Sequence, residues 1–389
     1  STSLMIACEA GLQKVVEIIL ERGADIHSKN QRGSTALLWA SAQGNISIVK
    51  RLLDLGAQVN LSNNDGAFPL TIASQEGFAE VARLLVERGA EMEARVLEDC
   101  TALLFATGNA HEETALVLID LGADVNVKTA SGLTPLLLAS HHGLLRVIQK
   151  IINDRGGKVN EFDNTGSTSL VIASSTGHQN IVELLVSKGS NIHHQTHLRS
   201  DAFACACANG HLEIARFLLK NGANLFGCEE EGTVPLVSAS QKGHLEVVAF
   251  LLENGARVEA RSWEDITALF AAAKKGHAEI VKVLLDHGAD LRSTANLKNL
   301  TASAIACKKG RLESLKILFE RGSDLNERMA NGHTLFTLAC FWGHYDVVQF
   351  LLDQQVDTNI KLNGAYSGFE LACSEGHSDI VDLLFERQG

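Results

Sequence analysis

The stretch STALLWASAQGNISIVKRLLDLGAQVN (34–60) contains two short helical patterns, one before Gly44 and one between Gly44 and Gly56. Thr35 stands nine residues before Gly44, where its hydroxyl can cap a helix start. Gly44 permits the left-handed backbone that ends that helix. An apolar stripe at helical spacing follows, and Gly56-Ala57 closes it. Related strings occur as ASQKGHLEVVAFLL (239–252), AAKKGHAEIVKVLL (272–285) and ACFWGHYDVVQFLL (339–352).

Taking the turn glycine as an anchor reveals the organisation. It recurs at Gly11, Gly44, Gly77, Gly143, Gly177, Gly210, Gly243, Gly276, Gly310, Gly343 and Gly376, with Ala110 in the remaining place. The spacing is 33 residues with two steps of 34, and each extra residue is expected in a connecting loop, near Gly156-Gly157 and near Asn296–Lys298. The residue four before the anchor is Ala in all twelve copies, from Ala7 and Ala40 to Ala339 and Ala372. A place that accepts only a methyl group is one where neighbouring helices approach closely, since a larger side chain would overpack it by about 1–3 kcal/mol. Thr35, Thr101, Thr134, Thr267 and Thr334 are read as N-caps, and Pro69, Pro135 and Pro235 follow at the first helical position, where the missing N–H costs nothing. Acids three after the anchor, such as Glu80, Glu246 and Asp346, suit the start of the second helix.

The strings 34–60 and LTPLLLASHHG (133–143) resemble the ankyrin repeat family, and the resemblance covers the chain as about twelve copies. The family's His in its Thr-Pro-Leu-His tetrapeptide is replaced here, by Leu38, Thr71, Leu104, Leu137, Val171, Val237 or Phe270 among others. The resemblance implies an all-α fold: one solenoid over 1–389 of stacked helix-turn-helix units with extended, hairpin-like loop tips. A single unit cannot bury its stripe alone, so stability is a sum of repeat and interface terms. The chain opens on a first helix and closes just after a core-type stripe ending at Phe385, so a larger natural protein is expected.

Composition narrows the function. A formal net charge of −12 argues against general polyanion binding, and no apolar run approaches the roughly 18 residues needed to span a bilayer. Cys8, Cys207, Cys307, Cys340 and Cys373 share one place, three before the anchor. They read as a packing slot and not as a disulfide framework, which points to an intracellular, reducing and cytoplasmic setting. Seven histidines directly follow the anchor and read as imidazoles bridging backbone groups at the turn. His193, His194 and His197 lack an acid or Cys at a zinc-ligand spacing, so no metal and no cofactor is expected. No GxSxG, HExxH or phosphate-binding glycine loop occurs, and the chain is not expected to be an enzyme.

In the resembled fold the two residues before the anchor and the tip residues line the concave, partner-binding surface. From repeat one to seven these pairs are small or polar. They then become Gln241-Lys242, Lys274-Lys275, Lys308-Lys309 and Phe341-Trp342, a basic ridge followed by two aromatics. Tips nearby add Glu230, Trp263 and Tyr366. Large aromatics of this kind dominate binding energies where they meet a partner. The expected function is a protein-interaction scaffold, binding a protein segment on its concave surface mainly through repeats 8–12. Two alternatives are the cytoplasmic ankyrin region of a membrane protein or channel, acting as a tether, and repeats that target or regulate an enzyme domain outside this chain. Nucleic acid is not expected, because a few lysines on an acidic protein make a weak electrostatic footprint.

Overall fold

The computed structural model describes residues 2–227, 233–295, 300–362 and 364–388. Among these, twenty-four α-helices form twelve hairpins in two compact units, Ser1–Asn191 and Ile192–Gly389. The first unit contains α1 (Ser3–Glu9), α2 (Gln13–Glu21), α3 (Ala36–Ala42), α4 (Ile46–Asp54), α5 (Pro69–Gln75), α6 (Ala79–Glu87), α7 (Ala102–Gly108), α8 (Glu112–Asp120), α9 (Pro135–His142), α10 (Leu145–Arg155), α11 (Ser169–Thr176) and α12 (Gln179–Ser187). The second contains α13 (Ala202–Ala208), α14 (Leu212–Lys220), α15 (Pro235–Lys242), α16 (Leu245–Glu253), α17 (Ala268–Lys275), α18 (Ala278–Asp286), α19 (Ala302–Lys308), α20 (Leu312–Glu320), α21 (Leu335–Trp342), α22 (Tyr345–Asp353), α23 (Gly368–Glu375) and α24 (Ser378–Gln388).

Within each unit, every odd-numbered helix packs on its hairpin partner and on the next odd-numbered helix; the even-numbered helices form a second, looser row. The alanine column explains the tighter row. All twelve of these alanines are buried, from Ala7 at 3% exposure to Ala40, Ala139, Ala272 and Ala339 at 0%. The next position is just as constrained. Cys8, Ser41, Ser140, Cys207, Ala273, Cys307 and Cys340 are all fully enclosed there, whereas Cys373 in the last hairpin is exposed. The tetrapeptide replacements are core residues: Leu38, Leu104, Leu137, Val171, Val237 and Phe270 are all buried. Thr71 is buried as well, and it exchanges hydrogen bonds with the backbone of Phe68 at 2.9 and 3.0 Å.

The anchor glycine has two duties. Gly77 and Gly243 adopt φ of +84° and +87°, which terminates the first helix. A Cβ on either would also collide with the ring of the next hairpin's histidine, 2.5 Å from Nδ1 of His111 and 2.7 Å from Cε1 of His277. Those histidines reach across the interface. Nε2–H of His111, His178, His277, His344 and His377 donates to the carbonyl two residues before the preceding anchor, at 2.9 to 3.3 Å. Each ring thus satisfies a carbonyl that the helix end leaves unpaired. Asparagines form a second tie. Asn60 donates to Gly89 O and accepts from Glu91 N, and Asn160 bonds in the same way to Gly189 and Asn191.

The loop tips are extended hairpins, closed by single bridges such as Phe162↔Thr168 and Arg328↔Thr334. Three local expectations need correction. The extra residue near Gly156 does not lengthen a loop: α10 runs to eleven residues where its counterparts, α24 excepted, have nine, because nothing stops the helix before Gly156 at φ +66°. Thr101 occupies the N-cap place, but its buried hydroxyl makes no cap bond, unlike Thr35, Thr134, Thr267 and Thr334. Phe385 is 71% exposed and does not join the final core stripe. The second 34-residue step, near 296–298, lies outside the described residues.

Candidate functional site

In the second unit, α15, α17, α19 and α21 lie side by side and end in Lys242, Lys275, Lys308-Lys309 and Phe341-Trp342. Because each helix stops at the same register, the terminal side chains form four successive rows on one face. Lys242, Lys275 and Lys309 are exposed, and Lys274, Lys308 and Phe341 are half-buried. Trp342 is 45% exposed, so the aromatic pair is not sunk in the interior.

The platform beneath these side chains is held by the neighbouring repeat. His344 grips the Lys308 carbonyl at 3.0 Å, His377 grips that of Phe341 at 3.1 Å, and Arg311 Nε donates to that of Lys274 at 3.4 Å. The side chains interlock as well. Phe341 and Trp342 meet edge to face at 5.5 Å between centroids, and Lys308 Nζ lies 5.0 Å from the Trp342 ring centre. That cation–π contact is worth about 0.5–1 kcal/mol at an exposed site. His333 joins from the tip, its ring 6.0 Å from Phe341. Burial, followed by the charge of Lys308, pushes its pKa down from the ordinary imidazole value.

The expected site residues therefore divide into groups. Lys308, Phe341 and Trp342 are in direct contact, and Lys274, Lys275 and Lys309 occupy the adjoining rows. Trp263, 72% exposed, and Tyr366, 56% exposed, stand on tips and make no ring contact with this cluster among the described residues. Glu230 lies outside the described residues. His333 went unread in the sequence, although a signal existed. Ten residues before the anchor the column holds small or aliphatic residues, as in Ser34, Ala67, Cys100, Leu133, Ser167, Ser200, Thr233, Ile266 and Leu300, before changing to His333 and Tyr366.

A second feature was missed. Five residues before the anchor, Ile6, Trp39, Ile72, Phe105, Leu138 and Ile172 form an apolar column on the same face of the first unit. Ile6 is exposed and the others half-buried. In the second unit Ile305 and Leu338 occupy this place but are only 4% exposed. Leu371, in the same place of the last hairpin, is 5% exposed.

On the outer helices of the first unit, Arg146 pairs with Glu113 and Lys150 with Asp120, each at 2.6 Å. Among the described residues, Lys242, Lys274, Lys275 and Lys309 enter no ion pair; Lys242 donates to Asn209 at 3.0 Å. No three metal-capable side chains converge among the described residues, and no described helix is long and apolar enough to cross a membrane.

The architecture is that of a helical-repeat array with one chemically distinctive face. A model of ankyrin repeats in triplicate matches residues 4–96, 103–196, 190–262 and 259–329, and a single-repeat model matches 331–363. The chain belongs to the ankyrin repeat family. Such repeats are in general protein–protein interaction modules. A search of curated proteins finds no match to the chain.

Proposed function

We propose that the protein is an interaction scaffold whose partner is a protein segment docking on the basic and aromatic rows of repeats eight to twelve. The observation carrying this reading is the half-exposed Phe341-Trp342 pair in rows adjoining Lys274, Lys275 and Lys309, which enter no ion pair among the described residues. An aromatic pair whose backbone is clamped loses little freedom on binding, so more of its contact energy is retained. Its position next to net positive charge adds long-range attraction for an acidic partner.

The test compares partner profiles by quantitative mass spectrometry for three baits: wild type, Phe341→Ala/Trp342→Ala, and Arg146→Ala on the outer helices. Loss of the same partners from the double variant alone is the expected result. Identical profiles for all three baits would remove this reading.

A further inference from the structure

Resting on the reading above, we propose that the occupant of this face is an acidic segment in the polyproline II conformation. It carries a carboxylate at every third residue and a proline three residues beyond the last carboxylate. The carboxylates meet the Lys242, Lys274-Lys275 and Lys308-Lys309 rows, and the proline packs against the half-exposed ring of Trp342 where it stands edge to face with Phe341.

Two lengths determine the choice. Packed helices lie about 8–10 Å apart, which sets the spacing of the rows. A polyproline II chain returns to the same face every three residues, after about 9.3 Å, so its side chains keep step with the rows. A β-strand returns after two residues, about 6.7 Å, or four, about 13 Å, and falls out of register by the second row. An α-helix returns only after seven residues, about 10.5 Å, and needs roughly 22 residues to span four rows. The polyproline II segment needs only ten, is partly pre-ordered, and brings a compact ring that packs on exposed aromatic side chains. The charge match is direct for Lys242, Lys274, Lys275 and Lys309, which enter no ion pair among the described residues.

The experiment titrates the full chain with fluorescein-labelled ten-residue peptides by anisotropy at low salt. The register peptide is Pro-x-x-Glu-x-x-Glu-x-x-Glu with neutral x, made in both chain senses. A twin has the same composition with its glutamates adjacent, a third peptide is helical with glutamates at period seven, and a single-stranded oligonucleotide completes the set. One sense of the register peptide is expected to bind at least about tenfold tighter than the clustered twin, a difference large enough to measure cleanly. Phe341→Ala/Trp342→Ala should weaken it, and Lys274→Glu/Lys275→Glu/Lys308→Glu/Lys309→Glu should abolish it, with circular dichroism confirming that both variants are folded. Equal binding of the twin overturns the register but leaves the basic face as a docking site. Tighter binding of the helical peptide overturns the polyproline II conformation. No peptide binding overturns the acidic occupant, while the pull-down comparison still decides the face itself. Tighter binding of the oligonucleotide, lost in the lysine variant, overturns the protein-partner reading as well.

Discussion

Single residues carry constraints here that repetition makes visible. Gly243 and Gly376 both have left-handed backbones, at φ +87° and +78°, but only Gly243 meets a neighbour, the His277 ring at 2.7 Å. Alanine at Gly376 therefore adds only backbone strain, about 1–2 kcal/mol. Alanine at Gly243 adds overpacking as well, a further ~1–3 kcal/mol. Urea unfolding of Gly243→Ala and Gly376→Ala should show this gap. Equal midpoints would mean that the histidine ring does not rest on the glycine.

Glu327 makes a second prediction at this scale. Burial raises its pKa from the ordinary 4.5, the hydrogen bond from Thr301 Oγ1 lowers it, and Asp324 raises it further. A folded-state pKa above the unfolded one means that the native protein binds the proton more tightly. Stability is therefore greatest below pH 4.5 for this group and is lost as pH rises through the raised value. Glu327→Gln cannot titrate, so its stability relative to wild type should increase over that window. A constant difference across the same pH range would contradict the assignment.

Elements were largely legible in the sequence because each rests on a hard steric rule. A methyl-only position, a left-handed turn and the first position of a helix each admit few residue types, so Ala, Gly and Pro mark them directly. What was not legible depended on neighbours across the stack. The histidine bridge was readable from its place after the anchor, but the tie made by Asn60 joins residues about thirty apart and leaves no local pattern beyond its recurrence. α10 lengthened because no stop preceded Gly156. The cysteine slot tests the packing of these elements. Burial pushes the thiols of Cys8 and Cys340 up to about 12 and raises those of Cys207 and Cys307 as well, while Cys373 is exposed. Alkylation at neutral pH followed by peptide mapping should modify Cys373 in the native protein and the other four only after unfolding. Native labelling of Cys207 or Cys307 would show that the inner row opens.

At the scale of the molecule, a chain with net charge −12 concentrates lysines on three successive helix ends and follows them with two aromatic rings. The basic rows and the ring pair were readable as departures from a repeating pattern. The clamp on their backbones and the approach of His333 were not, since both require the stack to be assembled. The functional reading stands or falls with a partner docking on this face. Docking is probed at the face itself by placing p-benzoylphenylalanine at Trp342, with a control at Lys316 on the outer helices, and mapping the cross-linked peptides by mass spectrometry. A docked partner gives an adduct from position 342 that the acidic register peptide competes away, and none from position 316. An adduct that the peptide leaves untouched would overturn only the acidic occupant; equal yields from both positions would contradict docking on this face.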